Sequence, residues 1–244
     1  MVMRERAQEF SWAESSQTAP LRQAVSLRVV ESRAAAVQRA PISLPLSLGQ
    51  RVGKRLLDVS FASLLLILLA PFLLATAVAI RLESSGPALF RQWRLGLNGK
   101  PFRVLKLRTL TVVEDGDVIS QVTRDDPRVT GMGRVLRKLS LDELPQLINV
   151  LRGEMSLAGP RPHAIAHDRY YAERIENYAL RQSVKPGLTG WAQIHGLRGE
   201  TATLEDMRRR VGFDLWYVRR AGLLLDLRIL LATPFAVLGG RNAW

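Results

Sequence analysis

Apolar and polar residues are mixed along most of this chain, but from Val59 to Ile80 the pattern gives way to VSFASLLLILLAPFLLATAVAI, which has no charged side chain. At about 1.5 Å per residue a straight helix of this length just crosses the hydrocarbon core of a bilayer. A cleaved signal peptide would lie at the N-terminus and end in small residues, which does not fit a segment beginning near residue 59. Pro71 sits mid-segment, where its missing N–H and its clash with the preceding turn kink or break a helix. Arg51, Lys54 and Arg55 precede the segment and Arg81, Arg91, Arg94 and Lys100 follow it, so both ends carry the charge that favours the cytoplasmic side. A re-entrant helix, bent at Pro71, entering one leaflet and returning, satisfies both clusters. An ordinary kinked transmembrane helix would place one of them outside.

Around this segment the pattern divides the chain in three. Residues 1–50 hold few large apolar side chains and close on APISLPLSLGQ, which reads as a mobile N-terminal extension. Residues 51–82 are the membrane segment with its basic flanks, and residues 83–244 a catalytic domain. In the last, ALFRQWRLGLNGKPFRVLKLRTL reads as a hairpin turning at Asn98-Gly99, with Lys106 and Arg108 on one strand face. TLEDMRRRVGFDLWYVRR carries Leu204, Met207, Val211, Leu215 and Val218 at helical spacing. That stripe, with Trp216 and Tyr217, suits a lipid surface and a protein core equally. AGLLLDLRILLATPFAVL is interrupted by Asp226, Arg228 and Pro234 and reads as interfacial. The expected fold class is α-rich α+β: a re-entrant membrane helix hairpin plus a compact cytoplasmic catalytic domain with amphipathic interfacial helices.

Charge narrows the partners. Against 22 acidic residues stand 35 Lys and Arg, a net +13, which calls for a polyanion: nucleic acid, anionic lipid or a phosphorylated substrate. No nucleic-acid signature is present, and the basic clusters lie beside apolar segments. Cysteine is absent, which excludes disulfides, thiolate zinc sites and a cysteine nucleophile. His163 and His167 with Asp168 have no supporting metal motif, and GLNGK and PGLTG match no P-loop.

The chemistry concentrates in SLDELPQLINVLRGEMSLAGPRP, residues 140–162. Ser140 and Glu143 match a capping box ahead of the apolar Leu144, Leu147, Ile148 and Leu151, and taken alone that reading is the better one. The surroundings favour another. Arg134, Arg137 and Lys138 precede Asp142 and Glu143, and Arg161 follows between two prolines. Cations around two acids suit phosphate and a divalent ion: an ionised Asp at a helix start can attack phosphorus, and the Glu can hold Mg²⁺ or steer an acceptor.

KRLLDVS, KLRTL, LSLDELPQLINVLRGEMSLAGPRP, VKPGLTGWAQIHG and WYVRR with LLLDLRIL together resemble the bacterial sugar transferases, the monotopic polyprenyl-phosphate phosphoglycosyl transferases, over about Lys54 to Trp244. The resemblance is to their short form, of the exopolysaccharide-initiating type. It implies transfer of a sugar 1-phosphate from a UDP-sugar to undecaprenyl phosphate by way of a phospho-sugar on Asp142, with release of UMP. It further implies Asp142 and Glu143 as catalytic and Mg²⁺-binding residues, Arg137, Arg161, Lys106 and Arg108 as phosphate-binding, and Pro71 as the membrane helix break. The implied partners are a UDP-sugar, undecaprenyl phosphate and inner-membrane lipid on the cytoplasmic face, with no nucleic acid and with a homodimer left open. Two departures stand out. His195 replaces the Asn that often precedes the Gly of GWAQ-x-x-G, and the arginine common after that Gly is displaced to Arg198, so the sugar is left open. The competing expectation is a catalytically decayed, membrane-anchored scaffold of a polysaccharide assembly complex.

Overall fold

The computed structural model describes residues 47–111, 122, 126–199 and 201–239. Most of the expected N-terminal extension lies outside the described residues. The described chain runs α1 (Leu48–Glu83), β1 (Leu89–Leu95), β2 (Pro101–Leu107), α2 (Gly131–Leu139), α3 (Gln146–Arg152), β3 (Ser156–Ala158), α4 (Ile165–Ala172), β4 (Gly187–Thr189), α5 (Trp191–Ile194), α6 (Leu204–Arg220) and α7 (Leu223–Leu238). It is mostly helical, with β1 and β2 pairing antiparallel and β3 and β4 parallel.

Ser47 starts α1 with a capping box: its Oγ accepts from the Gln50 N–H at 3.2 Å, and the Gln50 side chain accepts from the Ser47 N–H at 2.9 Å. The helix is long and apolar enough to cross a membrane, and Leu64, Ile67, Leu68 and Leu74 are exposed on it. The expected hairpin does not divide into two elements; Pro71 lies inside a single helix. Both ends of that helix nevertheless pack on the same body. Near its start, Arg55 donates to the Val150 and Leu151 carbonyls at the end of α3, both at 2.7 Å, and Asp58 accepts from Ser156 and from the Leu157 N–H. Near its end, Ile80 packs with Leu107 and Leu136.

The hairpin forms as its sequence predicts, with Asn98 at φ 55° and Gly99 at φ 71°, conformations these two residues tolerate best. Asn149 of α3 then fixes β2. Its Oδ1 accepts from the Leu105 N–H at 3.0 Å and its Nδ2 donates to the Arg103 carbonyl at 2.8 Å, so a side chain satisfies backbone groups at the sheet edge. Around this joint Phe102, Val104, Leu147, Val150, Met155 and Leu157 form a core cluster that includes Ala62 of α1.

Of the two amphipathic candidates, α6 turns its stripe inward: Met207, Val211 and Val218 are buried. The lipid-facing alternative for that stripe is therefore corrected, since Tyr178 and Ile175 already cover Met207 and Val211. In α7, by contrast, Leu224, Leu231, Phe235 and Leu238 are exposed. Asp226 is buried there because it meets Lys54 of α1 and accepts from the Tyr217 hydroxyl at 2.6 Å.

Candidate active site

Ser140 does not start a helix. It ends α2 in the left-handed conformation, φ 57° and ψ 22°, donating its N–H to the Arg137 carbonyl, and its side chain caps nothing. The capping box is thereby overturned. Asp142 and Glu143 lie instead in a one-turn 3₁₀ segment, Leu141–Glu143, between α2 and Pro145. That tight turn buries both carboxylates against β2 and the loop after β3.

The two acids are treated differently. Glu143 Oε1 accepts from Lys106 Nζ at 2.8 Å and from Arg161 Nη2 at 2.5 Å, while Oε2 accepts from Arg161 Nη1 at 2.8 Å. This is a forked guanidinium–carboxylate pair with an ammonium added. Burial pushes the Glu143 carboxyl up, but Arg161 and Lys106 outweigh it and hold the group well below the usual carboxylate range. Asp142 has no hydrogen-bond partner among the described residues. Its burial raises its pKa and the Glu143 charge adds to this, against the opposing pull of Lys106, Arg137 and Arg161.

Lys106 lies near the end of β2, where the Asn149 clamp sets its height. Burial lowers its pKa, opposed by Glu143. Arg161 is set by the loop between β3 and β4, two strands that approach so closely that a Cβ on Gly187 would collide with the backbone nitrogen of Gly159. A second arginine, Arg181, fixes the loop from behind. It donates Nη2 to the Arg161 carbonyl at 2.6 Å and Nε to Asp214 at 2.8 Å. Arg137, on the last turn of α2, is near enough for its charge to act on Asp142.

The structure therefore brings together Asp142, Glu143, Lys106, Arg161 and Arg137. It does not bring Arg108 with them. Arg108 is buried beneath the end of α1, donating to the carbonyls of Ser85 at 2.6 Å, Ser84 at 2.6 Å and Ile80 at 3.3 Å. Ser84 and Ser85 lie just past the end of α1, the Ile80 carbonyl also accepts from the Ser84 N–H, and donating to all three commits both Nη groups of the guanidinium. His163 Nδ1 and Asp168 are likewise engaged, bridged by the Tyr178 hydroxyl at 2.6 and 2.7 Å.

Sequence reasoning missed Arg94 and Arg181 at the site's edge. Arg94, on β1, donates to the Pro162 carbonyl at 3.2 Å, and burial beside Arg161 lowers its pKa to about 10. Arg181 lies in a 3₁₀ segment, Tyr178–Ser183. Neither position belongs to a local motif, so only the tertiary approach of distant segments reveals them. For a divalent ion, Glu143 Oε2 keeps a lone pair beside its one hydrogen bond and Asp142 keeps all of its own. One or two carboxylates completed by substrate phosphates is the set Mg²⁺ takes, so these residues fit it.

Residues 49–240 match the family model described as bacterial sugar transferase. The chain belongs to the bacterial sugar transferases. This sugar transferase is 57% identical over 191 residues to the UDP-glucose:undecaprenyl-phosphate glucose-1-phosphate transferase of Caulobacter vibrioides, covering 78% of this chain and 72% of the relative. It is 49% identical over 214 residues to the Escherichia coli K12 protein of the same name, covering 86% of this chain but 46% of that longer relative. It is also 44% identical over 186 residues to the exopolysaccharide production protein PSS of Rhizobium leguminosarum, covering 75% of this sugar transferase and 93% of the relative.

Proposed function

We propose that this chain transfers glucose 1-phosphate from UDP-glucose to undecaprenyl phosphate, as a phosphoglycosyl transferase that opens exopolysaccharide or related glycan assembly. The observation that carries the reading is the division of labour between the acids. Glu143 is locked by Lys106 and Arg161, whereas the adjacent Asp142 is buried, unpartnered and available to attack. The names of the relatives supply the donor and acceptor.

In the first step an Asp142 carboxylate oxygen attacks the sugar-bearing phosphorus. The bond from that phosphorus to the bridging oxygen breaks, its electron pair leaves with UMP, and a phospho-sugar remains on Asp142. In the second, an oxygen of undecaprenyl phosphate attacks the same phosphorus and the pair returns to the Asp142 carboxylate. Arg161 and Lys106, already turned toward Glu143, present donors to the transferring group in a low-dielectric site. Mg²⁺, held by Asp142 or Glu143 with the substrate phosphates, neutralises phosphate charge when bound.

A monotopic placement on the cytoplasmic face of the bacterial inner membrane goes with this chemistry. A straight helix the length of α1 spans about 54 Å, yet both its ends pack on one body and its middle is apolar and exposed. A re-entrant course bent at Pro71 meets these conditions; a simple crossing would carry one end away. A decayed scaffold would have no reason to keep a forked Arg161–Glu143 pair beside an unbonded Asp142.

The test is incubation with UDP-glucose and Mg²⁺ without acceptor. At most about one UMP per enzyme should appear, with hexose phosphate recovered on the peptide containing Asp142. Unlimited UMP release with no adduct, or transfer by Asp142→Asn at the wild-type rate, would overturn the covalent reading.

A further inference from the structure

Arg161 reaches Glu143 from a stretch of chain with no ladder of its own. Pro160 to His163 are neither helix nor strand, and the two prolines that flank Arg161 have no N–H to donate. Side chains hold the stretch instead. Arg181 Nη2 donates to the Arg161 carbonyl at 2.6 Å and Arg94 Nη1 to the Pro162 carbonyl at 3.2 Å, while the Tyr178 hydroxyl pins the His163 ring, 2.6 Å from Nδ1.

A single proton orders these contacts. The Tyr178 hydroxyl carries one hydrogen, and it touches both His163 Nδ1 and Asp168 Oδ1, the latter at 2.7 Å. Burial raises the Asp168 carboxyl to about 6, against the pull of Arg181, the Tyr178 hydrogen bond and Arg94, so at neutral pH it is ionised and can only accept. Tyr178 therefore donates to Asp168 and accepts from Nδ1–H. Burial, and then Arg181, Arg210, Arg94 and Arg161, hold the imidazole well below its ordinary pKa and hence neutral, and Nε2 is buried without a partner among the described residues. The hydroxyl thus sets the tautomer. Arg181 Nη1 lies 3.2 Å from the same Nδ1, which has no lone pair to offer it, and 3.9 Å from Asp168 Oδ1, so the carboxylate charge holds that arm while Nε donates to Asp214 at 2.8 Å.

We infer that Tyr178 and Asp168 are positioning residues for Arg161, a role that rests on Arg161 serving the transfer proposed above. Asp168 grips the stretch on both sides of Pro162, through Tyr178 to the His163 ring and through Arg181 to the Arg161 carbonyl. That double hold fixes where the Arg161 guanidinium stands beside the acids. Both residues are buried and act through Arg161 from behind.

Tyr178→Phe tests this, because the ring keeps its place against Ile175, Met207 and Val211 and only the hydroxyl goes. For the full chain in lipid nanodiscs, with undecaprenyl phosphate as acceptor, the kcat/KM for UDP-glucose should fall by about tenfold, since about 1 Å of misplacement can cost up to about a hundredfold. In an Arg161→Ala background the same substitution should cost less than about twofold, because the group it positions is gone. Asp168→Asn, which keeps an acceptor for Tyr178 but not the charge facing Arg181, should repeat the pattern, and it carries the comparison if thermal unfolding shows Tyr178→Phe misfolded. Tyr170→Phe, an exposed change on α4, should alter nothing. Nitrogen NMR of histidine-labelled protein, with His163→Asn to assign the signal, should find hydrogen on Nδ1 of His163. A full loss that persists in the Arg161→Ala background, no loss in either variant, or hydrogen on Nε2 overturns the positioning role. A wild-type chain that transfers nothing would instead sink the proposed function, and the NMR would still decide whether the chain from His163 through Tyr178 to Asp168 runs in this direction.

Discussion

The two adjacent acids should respond oppositely when each is replaced by its amide. Glu143→Gln removes the anion from three charge-assisted hydrogen bonds, at 2.5 to 2.8 Å, and strands two cations whose side chains are only 20 and 23% exposed. Breaking a buried pair on one side typically costs about 3 kcal/mol or somewhat more. For a chain of this size that lowers the unfolding midpoint by about 6 to 12 °C. Asp142→Asn removes no hydrogen bond within the described residues.

The sign for Asp142 follows from linkage. Burial raises its folded pKa above the unfolded value, so its contribution to stability is fully present below the unfolded pKa and is lost as pH rises through the folded one. At neutral pH the ionised, unpartnered carboxylate is a burden, and Asp142→Asn should leave the midpoint unchanged or raise it. Activity should divide the other way round. Asp142→Asn should abolish the UMP burst and the adduct, whereas Glu143→Gln, though less stable, should still form traces of adduct. Differential scanning fluorimetry in nanodiscs at pH 7.5, run beside a burst assay, reads both. Equal destabilisation by the two substitutions would refute the division of roles, because it would mean that Asp142 holds partners of its own.

Arg161→Ala should lower the rate of adduct formation more than Arg161→Lys, by about tenfold or more against wild type, since a guanidinium bridges two phosphate oxygens and an ammonium does not; single-turnover kinetics reads it. Arg108→Ala should lower the unfolding midpoint by stranding the Ser84 and Ser85 carbonyls just past α1 while leaving the KM for UDP-glucose unchanged in the folded fraction. Against pH, the kcat/KM for UDP-glucose should fall on the acid side above the ordinary carboxylate range, because Asp142 must be ionised to attack and its pKa is raised. Thiols introduced at the exposed Gln50 and Arg91 should both be shielded from a membrane-impermeant reagent in intact cells; labelling of one of the two alone would establish a crossing.

Local signals carried much of this fold. Asn98-Gly99 turned the hairpin, the apolar run from Val59 to Ile80 made a long helix, and the acids, Lys106 and Arg161 converged as their motif implied. The failures share a cause. Ser140 and Glu143 have the spacing of a capping box, but the box requires Ser140 in an extended conformation, and the close of α2 places it in the left-handed one. Arg108 is two residues from Lys106, and strand alternation predicts a shared face. The strand ends at Leu107, however, and the Ser84 and Ser85 carbonyls just past α1 draw the guanidinium away. The stripe of α6 was ambiguous because periodicity identifies an apolar face without saying what will cover it.

That misplaced arginine has a consequence for how the enzyme meets its lipid. Within three consecutive residues, Lys106 grips Glu143, Leu107 packs on Ile80, and Arg108 holds the Ser84 and Ser85 carbonyls directly after α1. At about 3.3 Å per residue along an extended chain, the acidic turn and the end of the long apolar helix are therefore coupled over roughly 7 Å of backbone. The other end of α1 is tied as closely, through Arg55 to α3, the helix that directly follows the acidic turn. Undecaprenyl phosphate has its reactive group at the headgroup level and its chain in the bilayer. Under the function proposed above, the acidic turn must sit at a fixed height above that lipid, and two short connections to one apolar helix supply that height.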